Sequence, residues 1–185
     1  MKRMLILSSI FALFTVSFAQ DATAALVAMR TPGVWGSVNW GLVFAVFGAA
    51  FATFAGGYGS SIGVGIAGEV GNAVLTEDSK KFGSVLVLQA LPMTQGIYGL
   101  LYAFMVLGVA DIDLTRGLQL FFASLPVGFC GLISGIWQGK VSAAGMQLIA
   151  RRPKQMGQAI ILPAMVETFA VFGLLASILL MNLGQ

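Results

Sequence analysis

The chain is 185 residues long, 58% apolar and only 9% charged, with a mean hydropathy of +0.92; a surface of that composition faces hydrocarbon, so the chain is an integral membrane protein. Ten basic against seven acidic residues leave a net charge of +3 and no basic stripe for phosphates, so no nucleic-acid partner is expected, and the few charges report on membrane orientation instead. A single cysteine, Cys130, excludes an intrachain disulfide framework, and the absence of histidine excludes a Cys/His metal site.

Residues 1–19 read as a signal peptide: Lys2 and Arg3, an apolar stretch from Met4 to about Ala19, then small residues suited to cleavage. Ser17 and Ala19 suit a cut before Gln20, and Ala22 or Ala24 could also end the segment. The alternative is a retained fifth helix, against which the run is a little short of the roughly 20 residues a span needs. Residues 20–37 then form an extracytoplasmic N-terminal segment.

Four further apolar segments follow, roughly 38–75, 82–110, 116–150 and 155–183. Each must be a helix, because a lone span has to satisfy its own backbone hydrogen bonds in lipid. The connections TEDSKK and RRPKQ carry Lys80, Lys81, Arg151, Arg152 and Lys154, whereas GVADIDLTRG carries Asp111, Asp113 and one arginine. The positive-inside rule puts the first two in the cytoplasm and both termini of the mature chain outside.

A shift of 74 residues places Ser60 on Ser134, Gly65 on Gly139, Lys80 on Lys154, Gly83 on Gly157 and Gly99 on Gly173. The expected fold is therefore all-α: two duplicated helical hairpins, residues 38–110 and 116–185, the second carrying a carboxylate. The first helix of each copy has small residues four apart, Gly57, Ser61, Gly65 and Gly131, Gly135, Gly139, which predict close backbone packing in an inner layer. Two other motifs fail on context. GVGIAG (63–68) lies inside a helix with no preceding strand, and GIWQGKV has one residue too few for a phosphate loop and Val141 where a hydroxyl should hold magnesium. No nucleotide or hydrolytic chemistry is encoded, so the chain is read as non-catalytic.

Glu167 stands alone inside the uncharged run LPAMVETFAVFGLLASILL, residues 162–180, and the repeat pairs it with Met93. A carboxylate at that depth must be protonated, paired or neutralised by a bound cation, and no lysine or arginine lies within a turn or two of it. Counted from the basic loops, Glu167, Gln138, Thr94 and Gln95 all lie thirteen or fourteen residues deep, roughly 20 Å at about 1.5 Å per residue. Three helices thus bring oxygen atoms to one level, with one negative charge among neutral amides and a hydroxyl. That set suits a hard monovalent cation better than a divalent one; interhelical hydrogen bonding is the competing explanation. Glu69 and Lys140, nearer the cytoplasmic end, read as a solvated or interface charge and a snorkelling lysine.

The duplicated hairpin with LPMTQGIYG (91–99), SGIWQGKVSAAG (134–145) and MVETFA (165–170) resembles the proteolipid subunit, called c or K, of V-type ATPases, and most nearly its sodium-translocating bacterial branch. The resemblance implies a Na+ held by Glu167, Thr94, Gln95, Gln138 and the backbone carbonyl of Leu91, with Tyr98 hydrogen-bonded to Glu167. It also implies a ring of identical copies, a separate stator subunit supplying an arginine, a central stalk, and ATP hydrolysis on other subunits. A rotor for H+ alone is the alternative, and a non-rotary carrier a third reading. Phe169 and Met93 depart from the pattern, where a tyrosine and a small residue are usual. From its sequence Pro92 frees the carbonyl of Leu88, four residues back, so the place of Leu91 in the ligand set rests on the resemblance.

Overall fold

The computed structural model describes residues 38–184, and those residues are almost wholly helical. The expected signal peptide and the segment to residue 37 lie outside them. Helix α1, Trp40–Glu77, contains no proline and is built from glycine, alanine and large apolar residues. At about 1.5 Å per residue its 38 residues reach well beyond a hydrocarbon core of about 30 Å. After a short 3-10 turn, Ser79–Lys81, come α2, Phe82–Ala90, and α3, Thr94–Leu107, joined through a second 3-10 turn at Leu91–Met93. Helix α4, Leu114–Arg151, and α5, Met156–Met181, are joined through Pro153–Gln155.

Among the described residues four helical stretches are long and apolar enough to cross a membrane: Trp40–Glu77, Ser79–Leu107, Leu114–Arg151 and Pro153–Met181. Both ends of the first two stretches differ from those of the last two by 74 residues, the shift read in the sequence.

The ends follow from local chemistry. Asp78 opens the first 3-10 turn by accepting the Lys80 N–H at 3.0 Å, and Asp113 opens α4 by accepting the Arg116 N–H at 2.7 Å. At the loop end the Lys81 ammonium donates to the Ala150 carbonyl at 2.6 Å, in the last turn of α4. At the opposite end Arg116 donates to the Met181 carbonyl at 2.6 Å, closing α5. Each cation sits where a helix presents its negative pole and carbonyls without intrahelical partners.

Helices α1 and α4 lie backbone to backbone along glycines. A side chain placed on Gly135 would meet the Gly59 carbonyl carbon at 2.7 Å, and one on Gly139 would collide with the backbone of Gly63. The predicted small-residue row is therefore half corrected. Gly131, Gly135 and Gly139 do face the other inner helix, but they meet Gly56, Gly59 and Gly63. A side chain built on Gly57 or Gly65 would meet nothing within 4 Å, and Ser61 is exposed. Successive residues on a helix point about 100° apart, so Gly57, Ser61 and Gly65 look away from α4 while Gly56, Gly59 and Gly63 look towards it.

The apolar interior forms two clusters. One, near Trp40 and Met181, holds Ala45, Ala52, Tyr102, Leu120 and Val127; the other, near the basic loops, holds Ala67, Leu88, Met146, Ile149 and Ala159. Between them lies a polar layer containing Ser60, Gln95, Ser134 and Gln138, all buried.

Candidate functional site

The site begins with the break between α2 and α3. Pro92 has no N–H to continue the helix, and its ψ of 15° is non-helical. The turn at Leu91–Met93 leaves the Leu91 carbonyl to accept from the Thr94 hydroxyl at 3.3 Å. Gly96, four residues beyond Pro92, sends its N–H to Ser60 Oγ on α1 at 2.9 Å. Ser60 thus braces the kink from a neighbouring helix. In the sequence Ser60 stood out only as a repeat position; its signal was a hydroxyl in the same polar layer as the two glutamines.

Beyond the break the first turns of α3 present Thr94, Gln95 and Tyr98 to the centre of the bundle. Gln95 and Gln138 are both fully buried, and Gln95 Nε2 donates to Gln138 Oε1 at 2.5 Å. Gln138 Nε2 donates in turn to Glu167 Oε2 at 3.2 Å, while the Tyr98 hydroxyl donates to Glu167 Oε1 at 2.8 Å. Thr94 Oγ1 lies 3.4 Å from Gln95 Oε1. The six predicted residues therefore form one connected cluster from three helical stretches. Only Leu91 joins it through backbone, and the carbonyl the kink offers to Thr94 is that of Leu91.

Glu167 lies halfway along its stretch, fourteen residues from both Pro153 and Met181. Its side chain is half-buried, and its surroundings on the outer face are hydrocarbon: Met165 and Phe169 are each 62% exposed, with Met93 and Ile97 also exposed nearby in depth. The two departures from the family pattern, Met93 and Phe169, thus point outward, away from the polar cluster. Among the described residues the only ion pair is Lys81–Asp78, 3.7 Å apart in the loop, so no protein cation neutralises Glu167. No cluster of three or more carboxylate, histidine or cysteine side chains capable of holding a metal occurs among them either.

Chemically, the arrangement offers one carboxylate, two amide oxygens, a hydroxyl and a backbone carbonyl. All are hard oxygen donors, and their total charge of one negative matches a monovalent cation. Glu69 is exposed, and Lys140 is exposed with its ammonium 4.2 Å above the Trp137 ring. Neither joins the site.

Comparison with known proteins finds the same duplication within this chain. Residues 47–106 and 121–180 each match the family described as the ATP synthase C subunit, and the two matched segments are offset by 74 residues. The chain is 49% identical over 145 residues to V-type sodium ATPase subunit K of Enterococcus hirae, covering 77% of this chain and 92% of that protein. It is 41% identical over 140 residues to A-type ATP synthase subunit K of Methanocaldococcus jannaschii, covering 76% of this chain and 62% of the relative. With a V-type proton ATPase 16 kDa proteolipid of Nephrops norvegicus the identity is 28% over 152 residues, 80% of this chain and 88% of the relative. Four apolar spans, family matches covering more than half of the residues and a subunit K nearly half identical along most of its length agree: the chain belongs to the ATP synthase C-subunit family, among the proteolipids of V- and A-type ATPases.

Proposed function

We propose that this chain is a rotor-ring subunit that carries Na+ across the membrane on Glu167, driven by ATP hydrolysis on other subunits. The observation that carries the reading is a single mid-span carboxylate, facing lipid on one side and held on the other by Tyr98 and Gln138, with no cation of its own. The sodium assignment is supported by the donor set and by the name of the Enterococcus hirae relative, a sodium ATPase subunit.

The mechanism follows from the cost of charge in hydrocarbon. An ionised Glu167 facing lipid is expensive to move, whereas one neutralised by a bound cation can travel through the bilayer as the ring turns. Sodium would bind the Glu167 carboxylate with oxygens from Gln95, Gln138, Thr94 and the Leu91 carbonyl. The Tyr98 hydroxyl keeps the carboxylate turned towards those oxygens. Release needs a competing positive charge at the same depth. Among the described residues no lysine or arginine lies there, so in our reading the charge comes from an arginine of a separate stator subunit. The basic loops face the cytoplasm and bear on a central stalk, and both mature termini lie outside.

Labelling with a hydrophobic carbodiimide tests the assignment, because that reagent attacks protonated carboxyls in apolar surroundings. Glu167 is expected to be the principal residue modified in native membranes. Sodium should protect it by keeping it ionised and coordinated, and more sodium should be needed as pH falls because protons compete for the same oxygens. Labelling that follows pH but ignores sodium would replace the sodium rotor by a proton rotor. Labelling concentrated on another carboxylate would remove Glu167 from the mechanism.

A further inference from the structure

The two hairpins meet through an interface whose two halves each occur once more, unpaired, on the outside of the molecule. Inside the chain, Gly59 and Gly63 of α1 lie against Gly135 and Gly139 of α4. Moved by the 74-residue repeat, Gly59 and Gly63 become Ile133 and Trp137, which are 56% and 55% exposed. Moved the other way, Gly135 and Gly139 become Ser61 and Gly65, also exposed, with nothing within 4 Å of a side chain built on Gly65. One face of the molecule therefore has bulk without a seat, and the other has a seat without bulk.

The seat is a groove of about 710 Å³. One end is lined by Ser61, Val64 and Gly65, where an indole can lie, and the other by Glu69, Asn72 and Gln89, where an ammonium can be held. The bulky face supplies both groups together, since the Lys140 ammonium rests over the Trp137 ring. Neither Glu69 nor Lys140 has an ion-pair partner among the described residues. The two faces belong to different hairpins and are not self-complementary, so their contact is head-to-tail and links one copy to the next, as a closed ring requires.

We propose that Trp137 and Lys140 of one copy seat in the groove beside Gly65 of the next, with Lys140 paired to Glu69 across the junction. The inference rests on the ring reading above and adds its direction and contacts. A lysine over an aromatic face, paired to a carboxylate away from water, makes a stronger contact than either half alone in the aqueous phase.

The test uses the full complex in native membranes, with Cys130→Ala as background. Gly65→Cys together with Trp137→Cys should give, on oxidation, a reducible ladder of dimers and larger species, and neither single variant should give one. As a second arm, Glu69→Lys and Lys140→Glu should each reduce the ring recovered in mild detergent, and the exchanged pair should restore it. An intact ring with no ladder, or with no recovery in the exchanged pair, overturns the interface while leaving the ring reading in place. An unmodified protein that migrates as a monomer overturns both.

Discussion

At the residue scale, the site turns on Gln138, the one side chain that touches both Gln95 and Glu167. Its amide spends its oxygen on one partner and its nitrogen on the carboxylate, so truncation removes a donor to the carboxylate as well as an oxygen of the cation site we propose. Hydrogen bonds to charged groups contribute about 1.5–3 kcal/mol, and Gln138→Ala is expected to weaken sodium protection of Glu167 by about tenfold or more. Titration of carbodiimide labelling against sodium reads this directly, and unchanged protection would reduce Gln138 to a packing role. Sequence depth alone placed Gln138, Gln95, Thr94 and Glu167 on one level, because helical rise is constant. It could not say which side of each helix they occupy relative to the others, which depends on how the helices are rotated in the bundle. The role of Ser60 in holding Gly96 was invisible for the same reason.

At the element scale, the kink and the glycine seam decide where the site can form. Pro92 interrupts the helix just before Thr94, so α3 starts with its first turn aimed at α4 and α5. The proline made some break legible in the sequence, but the direction in which the backbone relaxed was not, since it depends on neighbours such as Ser60. The seam is stricter. With no hydrophobic drive between helices in lipid, close van der Waals packing holds α1 to α4, and Gly139 lies directly on the backbone of Gly63. Gly139→Ala should therefore cost about 1–3 kcal/mol through overpacking, seen as a lower melting temperature in detergent. Gly83→Ala, where the added side chain would meet nothing within 4 Å, serves as the control and should leave the melting temperature unchanged or slightly raised. Equal effects at both positions would mean that the seam is not what holds the two hairpins together.

At the scale of the whole molecule, the polar layer sits between two apolar clusters, so the fully buried Gln95 and Gln138 have apolar packing towards both ends of the bundle. The outward apolar side chains, from Phe47 to Leu179, face lipid or neighbouring copies and are not a folding defect. The orientation we propose rests on the basic loops and on the processing expected of residues 1–19. Mass spectrometry of the mature subunit from its native membrane is expected to find a chain beginning near Gln20. An intact Met1 would instead mean a retained segment, and would bring a fifth helix into the topology.

By itself the sequence determined the membrane setting, the four spans, the 74-residue period, and a mid-span carboxylate with its distance from the basic loops. These depend on composition and on distance along the chain, which a regular helix converts directly into depth. Only the tertiary structure decided which glycines touch, which carbonyl the kink presents, and that Tyr98 and Gln138 both donate to Glu167. Each of these depends on helix rotation and on side chains far apart in sequence. The repeat shows why a pattern alone falls short: the same small-residue row is buried in the second hairpin and open in the first. What lies opposite a row is set by the neighbouring helix, and for the first hairpin no such neighbour lies among the described residues.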